Sequence, residues 1–185
     1  MKFTGLFACV ILLVGSGVRL GPLIQVPEGL ALKMSIAAKA QKPTLVFWLN
    51  SSCPLSRQYA PTMKKIIRVA GQLQWNTILV SVQDATCDPV FQELGASNYI
   101  TDQGTLARWF NVSIVPTAML FRKIPDLHEP AANLVYRGAI DDWAWETGKH
   151  RQHINHHYLN DAIMQLQMGK LPDVSHTKSI GCFIE

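Results

Sequence analysis

The pattern of hydrophobic positions is strongest in the first half of the chain. The runs PTLVFWLN (43–50) and NTILVSVQ (76–83) are apolar and rich in β-branched residues, which is typical of strands buried on both faces of a sheet. Between them, apolar residues from Leu55 to Ala70 recur at helical spacing, and Pro61 is expected to kink this helix. The pattern therefore predicts a strand, a helix and a second, parallel strand.

The second half of the chain predicts an antiparallel pair and a closing helix. The segments TAMLFR (117–122) and NLVYRG (133–138) are expected to be paired strands. HHYLNDAIMQLQMG (156–169) has helical spacing, with Asn155 as its cap and Gly169 as its stop. Further helices are predicted over LALKMSIAAKAQ, PVFQELGA and QGTLARWF. This order indicates an α/β sandwich, in which a mixed central sheet is flanked by helices.

Composition and charge limit the class of protein. The chain has 185 residues, enough for one domain with extensions, and its 48% apolar and 16% charged residues are typical of a globular protein. The net charge is only +4, and Lys and Arg form no stripe along the sequence. We therefore expect no nucleic-acid partner.

Residues 1–17, MKFTGLFACVILLVGSG, have the pattern of a signal peptide. A lysine precedes a short apolar run, and small residues follow it. The run is too short to cross a bilayer comfortably, although a retained anchor that keeps the protein at the membrane is the alternative. We therefore expect an exported protein, periplasmic or membrane-associated. Loss of the signal would leave Cys53, Cys87 and Cys182, an odd and small number that indicates reactive rather than structural thiols.

Cys53 lies where the first buried strand is expected to give way to a helix. Unpaired backbone N–H groups and the helix dipole at such a start stabilise a thiolate, which is the nucleophilic form of cysteine. Pro54 suits the first turn because its missing N–H is not needed there. Dithiol redox sites usually have a second cysteine three residues later, but this position is Ser56.

The segment Val115-Pro116-Thr117 forms the second part of the predicted site. A proline immediately before an apolar strand is a candidate cis peptide. A cis proline here would expose the backbone of Val115 for pairing with an extended partner chain. The alternative interpretation is a proline that only begins the strand.

These segments together resemble a known family. VFWLNSSCPLS followed by VPT is similar to the thioredoxin fold, with the cysteine motif reduced to Cys-Pro-Leu-Ser. More narrowly, SCPLSRQYAPTM, YRGAIDD, GKHRQHINHHYLNDAI and SIGCFIE resemble bacterial redoxin-domain proteins of the alkyl-hydroperoxide-reductase and thiol-specific-antioxidant superfamily. The resemblance covers about residues 28–185. It implies a thioredoxin-like domain over 28–170 and a C-terminal tail over 171–185.

The resemblance also implies roles for individual residues. Cys53 matches the reactive cysteine, Pro116 the cis proline, and Cys182 the terminal Gly-Cys cysteine that would resolve a mixed disulfide. Cys87 is an alternative resolving thiol, and an unpaired Cys182 is a third possibility. Substrate contacts are expected at Pro54 and Ser56, next to the reactive cysteine, and at Val115 and Thr117, on either side of the proline.

A metal site is the main alternative chemistry. His153, His156 and His157 could place two imidazoles on one helical turn and, with a cysteine, bind copper as Sco-type proteins do. Those proteins use a Cys-x-x-x-Cys motif, however, and position 57 here is Arg. A polar helix start explains the histidines more simply, so we expect no metal and no cofactor.

The sequence thus predicts an exported thiol–disulfide oxidoreductase whose nucleophile is Cys53. Its substrate would be a protein or small-molecule disulfide, and a thiol of unknown identity would reduce it again. Thiol peroxidase activity on the same cysteine is an alternative. However, no proline precedes the cysteine at the position where peroxiredoxins have one.

Overall fold

The computed structural model describes residues 41–84, 88–123, 125, 129, 131–146 and 148–184. The predicted signal peptide or anchor, almost all of the predicted N-terminal helix, and Cys87 lie outside these ranges. The strands are β1 (Thr44–Leu49), β2 (Asn76–Val82), β3 (Asn98–Asp102), β4 (Ile114–Val115), β5 (Thr117–Phe121), β6 (Leu134–Gly138), β7 (Ala144–Glu146), β8 (Lys149–His150) and β9 (Cys182–Phe183). The helices are α1 (Pro54–Gln58), α2 (Ala60–Gln72), α3 (Pro89–Gln92), α4 (Thr105–Trp109) and α5 (Tyr158–Gln167).

Five strands form the central sheet in the order β3-β2-β1-β5-β6. β1, β2 and β3 run parallel, whereas β5 is antiparallel to both β1 and β6. Every residue of β1 is buried, as expected for a central strand covered on both faces. The predicted mixed α/β sandwich is confirmed, and β3 is an edge strand that the sequence pattern did not reveal.

Two helices cover the sheet and complete the core. Helix α2 packs against β2 through apolar residues at helical spacing, among them Met63, Ile66, Ile67 and Ala70. Helix α5 packs against β5 and β6 and buries Leu159 and Ile163. Among the described residues, no helix has both the length and the apolar character needed to cross a membrane.

The helix after Cys53 is divided rather than kinked. Tyr59 ends α1 and also caps α2, and Pro61 lies in the first turn of α2. Because proline has no N–H, it cannot donate the hydrogen bond that would continue α1 through this position. The expectation of one kinked helix is therefore replaced by two consecutive helices.

The start of α5 also differs from the prediction. His157 is its N-cap, without a side-chain hydrogen bond, so the assignment of Asn155 as the cap is wrong. Gly169 ends the helical segment as predicted, with a φ of +74° that suits glycine. His153, His156 and His157 precede the first helical residue, so they do not share a helical turn.

Candidate active site

The loop between β1 and α1 holds Cys53 at the carboxyl end of the central strand. Cys53 is the N-cap of α1, and Pro54 is exposed in the first turn of this helix. The backbone N–H of Cys53 donates to the carbonyl of Asn50 at 3.1 Å, which closes a turn. The Asn50 side chain accepts from Ser52 N–H at 2.8 Å and donates to the Val82 carbonyl at 2.7 Å. The loop is thereby tied to the neighbouring strand β2.

Asp84 is a second anchor of this loop. Its side chain accepts hydrogen bonds from the Ser51 N–H at 3.0 Å, the Ser51 hydroxyl at 2.5 Å and the Ser81 hydroxyl at 2.5 Å. Asp84 is 9% exposed, so these donors replace most of the water that its carboxylate would otherwise bind. Sequence reasoning missed Asp84, although an acidic residue directly after a buried strand was a signal for it.

A cis peptide bond lies opposite the cysteine. The Val115–Pro116 bond is cis, as the sequence predicted. Cys53 Sγ lies 3.4 Å from the carbonyl oxygen of Val115. Both residues are buried, with exposures of 2% for Cys53 and 0% for Val115. The loop after β1 and the end of β4 therefore form the two sides of one site.

Cys53 is joined to Cys182 in a disulfide. The two residues are 129 positions apart in the sequence, and their Cα atoms are 5.9 Å apart, a normal separation for a disulfide. Of the two pairings considered from the sequence, the structure has the one between Cys53 and the tail. Cys87 lies outside the described residues.

The tail also pairs with the strand that precedes Pro116. In the antiparallel pair β4–β9, Val115 is opposite Cys182 and Ile114 is opposite Phe183. The Ile184 N–H donates to the Ser113 carbonyl at 3.0 Å and extends the pairing. We expected the Val115 backbone to be exposed for a partner chain, but in this structure the protein's own tail occupies it.

Three of the four expected substrate contacts, Ser56, Val115 and Thr117, are buried, and Pro54 is exposed. Ser56 is fully buried, and its hydroxyl accepts from the Asn50 N–H at 3.4 Å, so it supports the loop instead of facing a substrate. The Thr117 hydroxyl donates to the Ile114 carbonyl at 2.7 Å and lies 2.7 Å from the Ser179 hydroxyl. Thr117 therefore contacts the tail.

The tail is anchored well before Cys182 and is not free along its length. The backbone N–H of Arg137, in β6, donates to the carbonyl of Ser175 at 3.0 Å. The backbone carbonyl of Arg137 accepts from the Thr177 N–H, also at 3.0 Å. The Thr177 hydroxyl accepts from the Ala139 N–H at 2.9 Å and is 2.7 Å from the Tyr136 hydroxyl. Burial raises the pKa of Tyr136 to about 12, against the opposing effect of this hydrogen bond from Thr177. The phenol therefore stays protonated and able to donate at neutral pH.

Two glycines allow the tail to approach so closely. A Cβ on Gly181 would collide with the carbonyl oxygen of Val115, and it would lie 2.6 Å from the carbonyl carbon of that residue. A Cβ on Gly138 would collide with the backbone and hydroxyl oxygens of Thr177, and the φ of Gly138 is +142°. The terminal Gly-Cys sequence thus has a steric reason, because only glycine fits immediately before this cysteine.

The acidic pair Asp141 and Asp142 stabilises turns. Asp141 accepts from the Tyr59 hydroxyl at 2.7 Å; burial, together with this carboxylate, raises the pKa of Tyr59 far above its usual value. Asp142 accepts from the backbone N–H groups of Asn155 and His156 at 2.8 and 3.1 Å. Although burial raises the pKa of Asp142, these bonds and the nearby Arg151 charge outweigh it and lower the pKa overall.

Within the described ranges, no three or more His, Cys, Asp or Glu side chains are grouped so as to hold a metal ion. His156 instead stacks on the ring of Tyr158, with ring centroids 5.5 Å apart.

Two solved structures share the fold over most of the chain, and a third was found at a lower TM-score. A hypothetical protein from Sinorhizobium meliloti has 22% identity and a TM-score of 0.64, over 81% of this chain and 82% of its own. An uncharacterized conserved protein from Geobacillus kaustophilus has 20% identity and a TM-score of 0.57, over 80% and 79%. An exposed lipoprotein thioredoxin from Streptococcus pneumoniae has 17% identity and a TM-score of 0.39, over 56% and 77%. The mixed sheet with its flanking helices is a thioredoxin-like fold, as the resemblance implied.

Sequence comparison identifies the family. No curated protein matches the chain. The sequence model of the family described as "TraF: F plasmid transfer operon protein" matches residues 31–132, which is more than half of the chain and includes Cys53 and Pro116. The chain therefore belongs to the thioredoxin-like TraF family.

Proposed function

We propose that the protein is a thiol–disulfide oxidoreductase in which Cys53 is the nucleophile and Cys182 the resolving thiol. The observation that carries this proposal is the disulfide between Cys53 and Cys182, beside the cis Val115–Pro116 bond. One cysteine lies at the carboxyl end of the central strand, where α/β folds place reactive groups, and the other comes from a separate segment. A disulfide that served only to stabilise the fold would not require one cysteine at the carboxyl end of the central strand or the other in a separate segment.

The exchange has two steps. In the reduced protein, the Cys53 thiolate attacks one sulfur of a substrate disulfide; a Cys53–substrate disulfide forms and one substrate thiol leaves. The Cys182 thiolate then attacks Cys53 Sγ and releases the second substrate thiol. The product is the Cys53–Cys182 disulfide. An external dithiol reduces it by the same exchange and is itself oxidised to a disulfide.

We further propose that the protein is of the redoxin type and acts outside the cytoplasm, in the periplasm or at the membrane. The redoxin assignment is supported by the ordered set of four sequence segments that resemble that subgroup. The location is supported by the signal-like pattern of residues 1–17. N-terminal sequencing of the protein recovered from a periplasmic fraction tests it; a cytoplasmic protein that retains Met1 would contradict it.

Single-cysteine variants test the chemistry. Each is made in a Cys87→Ser background and assayed for reduction of a disulfide-bonded peptide by dithiothreitol. Cys53→Ser should be inactive because the nucleophile is lost. Cys182→Ser should retain a peptide adduct on Cys53, visible by mass spectrometry when the peptide is added before dithiothreitol, and its turnover should be greatly reduced. The Cys87→Ser parent is the matched control and should retain full turnover.

Two results would contradict this assignment. Normal turnover by Cys182→Ser, without an adduct, would remove the resolving role. A peptide adduct on Cys182 in the Cys53→Ser variant, with none on Cys53 in the Cys182→Ser variant, would reverse the two roles. The same variants are also assayed with hydrogen peroxide: consumption of peroxide that is faster than peptide reduction would favour a thiol peroxidase.

A further inference from the structure

Strand β9 shows how a polypeptide that carries a cysteine docks at this site. While it is bonded to Cys53, Cys182 lies opposite Val115 in an antiparallel pair, and the Ile184 N–H donates to Ser113. Disulfide geometry and backbone pairing together determine where each neighbouring residue lies. A substrate segment that forms a disulfide with Cys53 and pairs with β4 would therefore place its residues where those of the tail now lie.

The residue before the cysteine is the most tightly constrained. At position 181 a Cβ would collide with the Val115 carbonyl oxygen and would lie 3.1 Å from Cδ of Pro116. Carbon atoms normally pack about 3.5–4.0 Å apart. The colliding atoms belong to backbone and to a proline ring, so they cannot rotate away as a flexible side chain would. Any residue other than glycine must move the strand.

The other neighbours of the cysteine are constrained less. The side chain of Phe183 is 80% exposed, so the site places little constraint on the residue type directly after the cysteine. Ile180 and Ile184 are partly buried and pack against the hydrophobic core. The docked strand thus has the pattern apolar–Gly–Cys–any–apolar.

We propose that the protein partners of this site are extended segments in which glycine immediately precedes the reacting cysteine, preferably flanked by apolar residues two positions to either side of the cysteine. The inference rests on the proposed function and specifies its substrate class. In the reduced protein no covalent bond holds β9, so a substrate segment can replace it on β4. The tail returns to this edge as the Cys182 thiolate attacks Cys53 Sγ, and the substrate segment leaves as a thiol.

A competition between peptides tests the preference. The full chain carrying Cys87→Ser and Cys182→Ser is first converted to its Cys53–glutathione disulfide. It is then equilibrated with equal amounts of two capped peptides, Ile-Gly-Cys-Phe-Ile and Ile-Ala-Cys-Phe-Ile, and the adducts are counted by mass spectrometry. A forced contact of this kind lowers the equilibrium constant about tenfold, so the glycine peptide should dominate by this factor.

Two controls separate docking from intrinsic thiol chemistry. In urea-unfolded protein the two adducts should form in equal amounts, because no β4 edge is present. The peptide Ile-Gly-Cys-Ala-Ile should match Ile-Gly-Cys-Phe-Ile on the folded protein, because the position after the cysteine is exposed. If the serine variant does not fold, Cys182→Ala replaces it.

The outcomes distinguish the two proposals. Equal adducts of the glycine and alanine peptides on folded protein would overturn the substrate class and leave the oxidoreductase proposal standing. Adducts with glutathione but with neither peptide would also overturn the substrate class. Failure of Cys53 to form a mixed disulfide even with glutathione would overturn the proposed function and this inference with it.

Discussion

Replacing Gly181 by alanine should make the Cys53–Cys182 disulfide easier to reduce. The added Cβ would collide with the Val115 carbonyl group. It would lie 2.6 Å from the carbonyl carbon of Val115 and 3.1 Å from Cδ of Pro116. In the oxidised protein the disulfide holds the tail against β4, so the collision must be relieved by displacing backbone. In the reduced protein the tail can lift away. The substitution therefore destabilises the oxidised form alone.

The expected shift follows from the cost of overpacking. Forcing an extra methyl group into a close-packed site costs about 1–3 kcal/mol. For a two-electron couple, 1.4 kcal/mol corresponds to about 30 mV, so the midpoint potential should rise by roughly 20–65 mV. The shift is measured by equilibrating the protein in dithiothreitol redox buffers, alkylating free thiols and determining the oxidised fraction by mass spectrometry.

The control is the same substitution at Gly71, in helix α2, where a Cβ would meet no atom within 4 Å. Gly71→Ala should leave the potential unchanged, although it stabilises the helix slightly. A Gly181→Ala protein with an unchanged or more negative potential would refute the steric argument. It would also remove the reason for glycine in the terminal Gly-Cys sequence.

Three further predictions concern stability. Oxidised wild-type protein should exceed Cys182→Ser in unfolding free energy by up to about 5 kcal/mol in urea titrations, because the disulfide closes a loop of 129 residues; equal midpoints would contradict this. Asp84→Asn should cost about 1–3 kcal/mol in the same assay, because its amide group would face the three donors that now bind the carboxylate; wild-type stability would contradict it. Because the pKa of Tyr136 is raised in the folded protein, this residue contributes stability that is complete below pH 10.0 and is lost as the pH rises toward about 12. Tyr136→Phe should therefore remove this pH-dependent loss of stability from thermal unfolding curves. An unaltered pH dependence in the variant would contradict the prediction.

The features predicted best from the sequence depend on neighbouring residues along the chain. Strand β1 was predicted because six consecutive residues carry the pattern of a strand buried on both faces. The position of Cys53 at a helix start follows from the same local change of pattern. The cis bond before Pro116 was predicted because proline is the residue at which cis peptides occur.

The features that were missed depend on segments that meet only in the folded chain. Asp84 becomes an anchor because β1 and β2 are adjacent, which brings Ser51 and Ser81 to one carboxylate. The start of helix α5 was misplaced for a similar reason. Asp142 accepts the N–H groups of Asn155 and His156, and these two residues lie outside the helix. Helical spacing alone does not reveal such a competing acceptor.

The anchored tail explains how two cysteines so distant in sequence can act as a pair. The hydrogen bonds of Thr177 to Arg137 and Tyr136 involve neither cysteine, and Thr177 is only five residues before Cys182. A segment of five residues reaches at most about 17 Å when fully extended. In the proposed mechanism, the Cys182 thiol would stay within that distance of its anchor when the disulfide opens, so a short tether would set its effective concentration near Cys53. The separation of 129 positions between the cysteines then affects the stability of the fold, whereas the five-residue tether would govern the rate of the proposed resolving step.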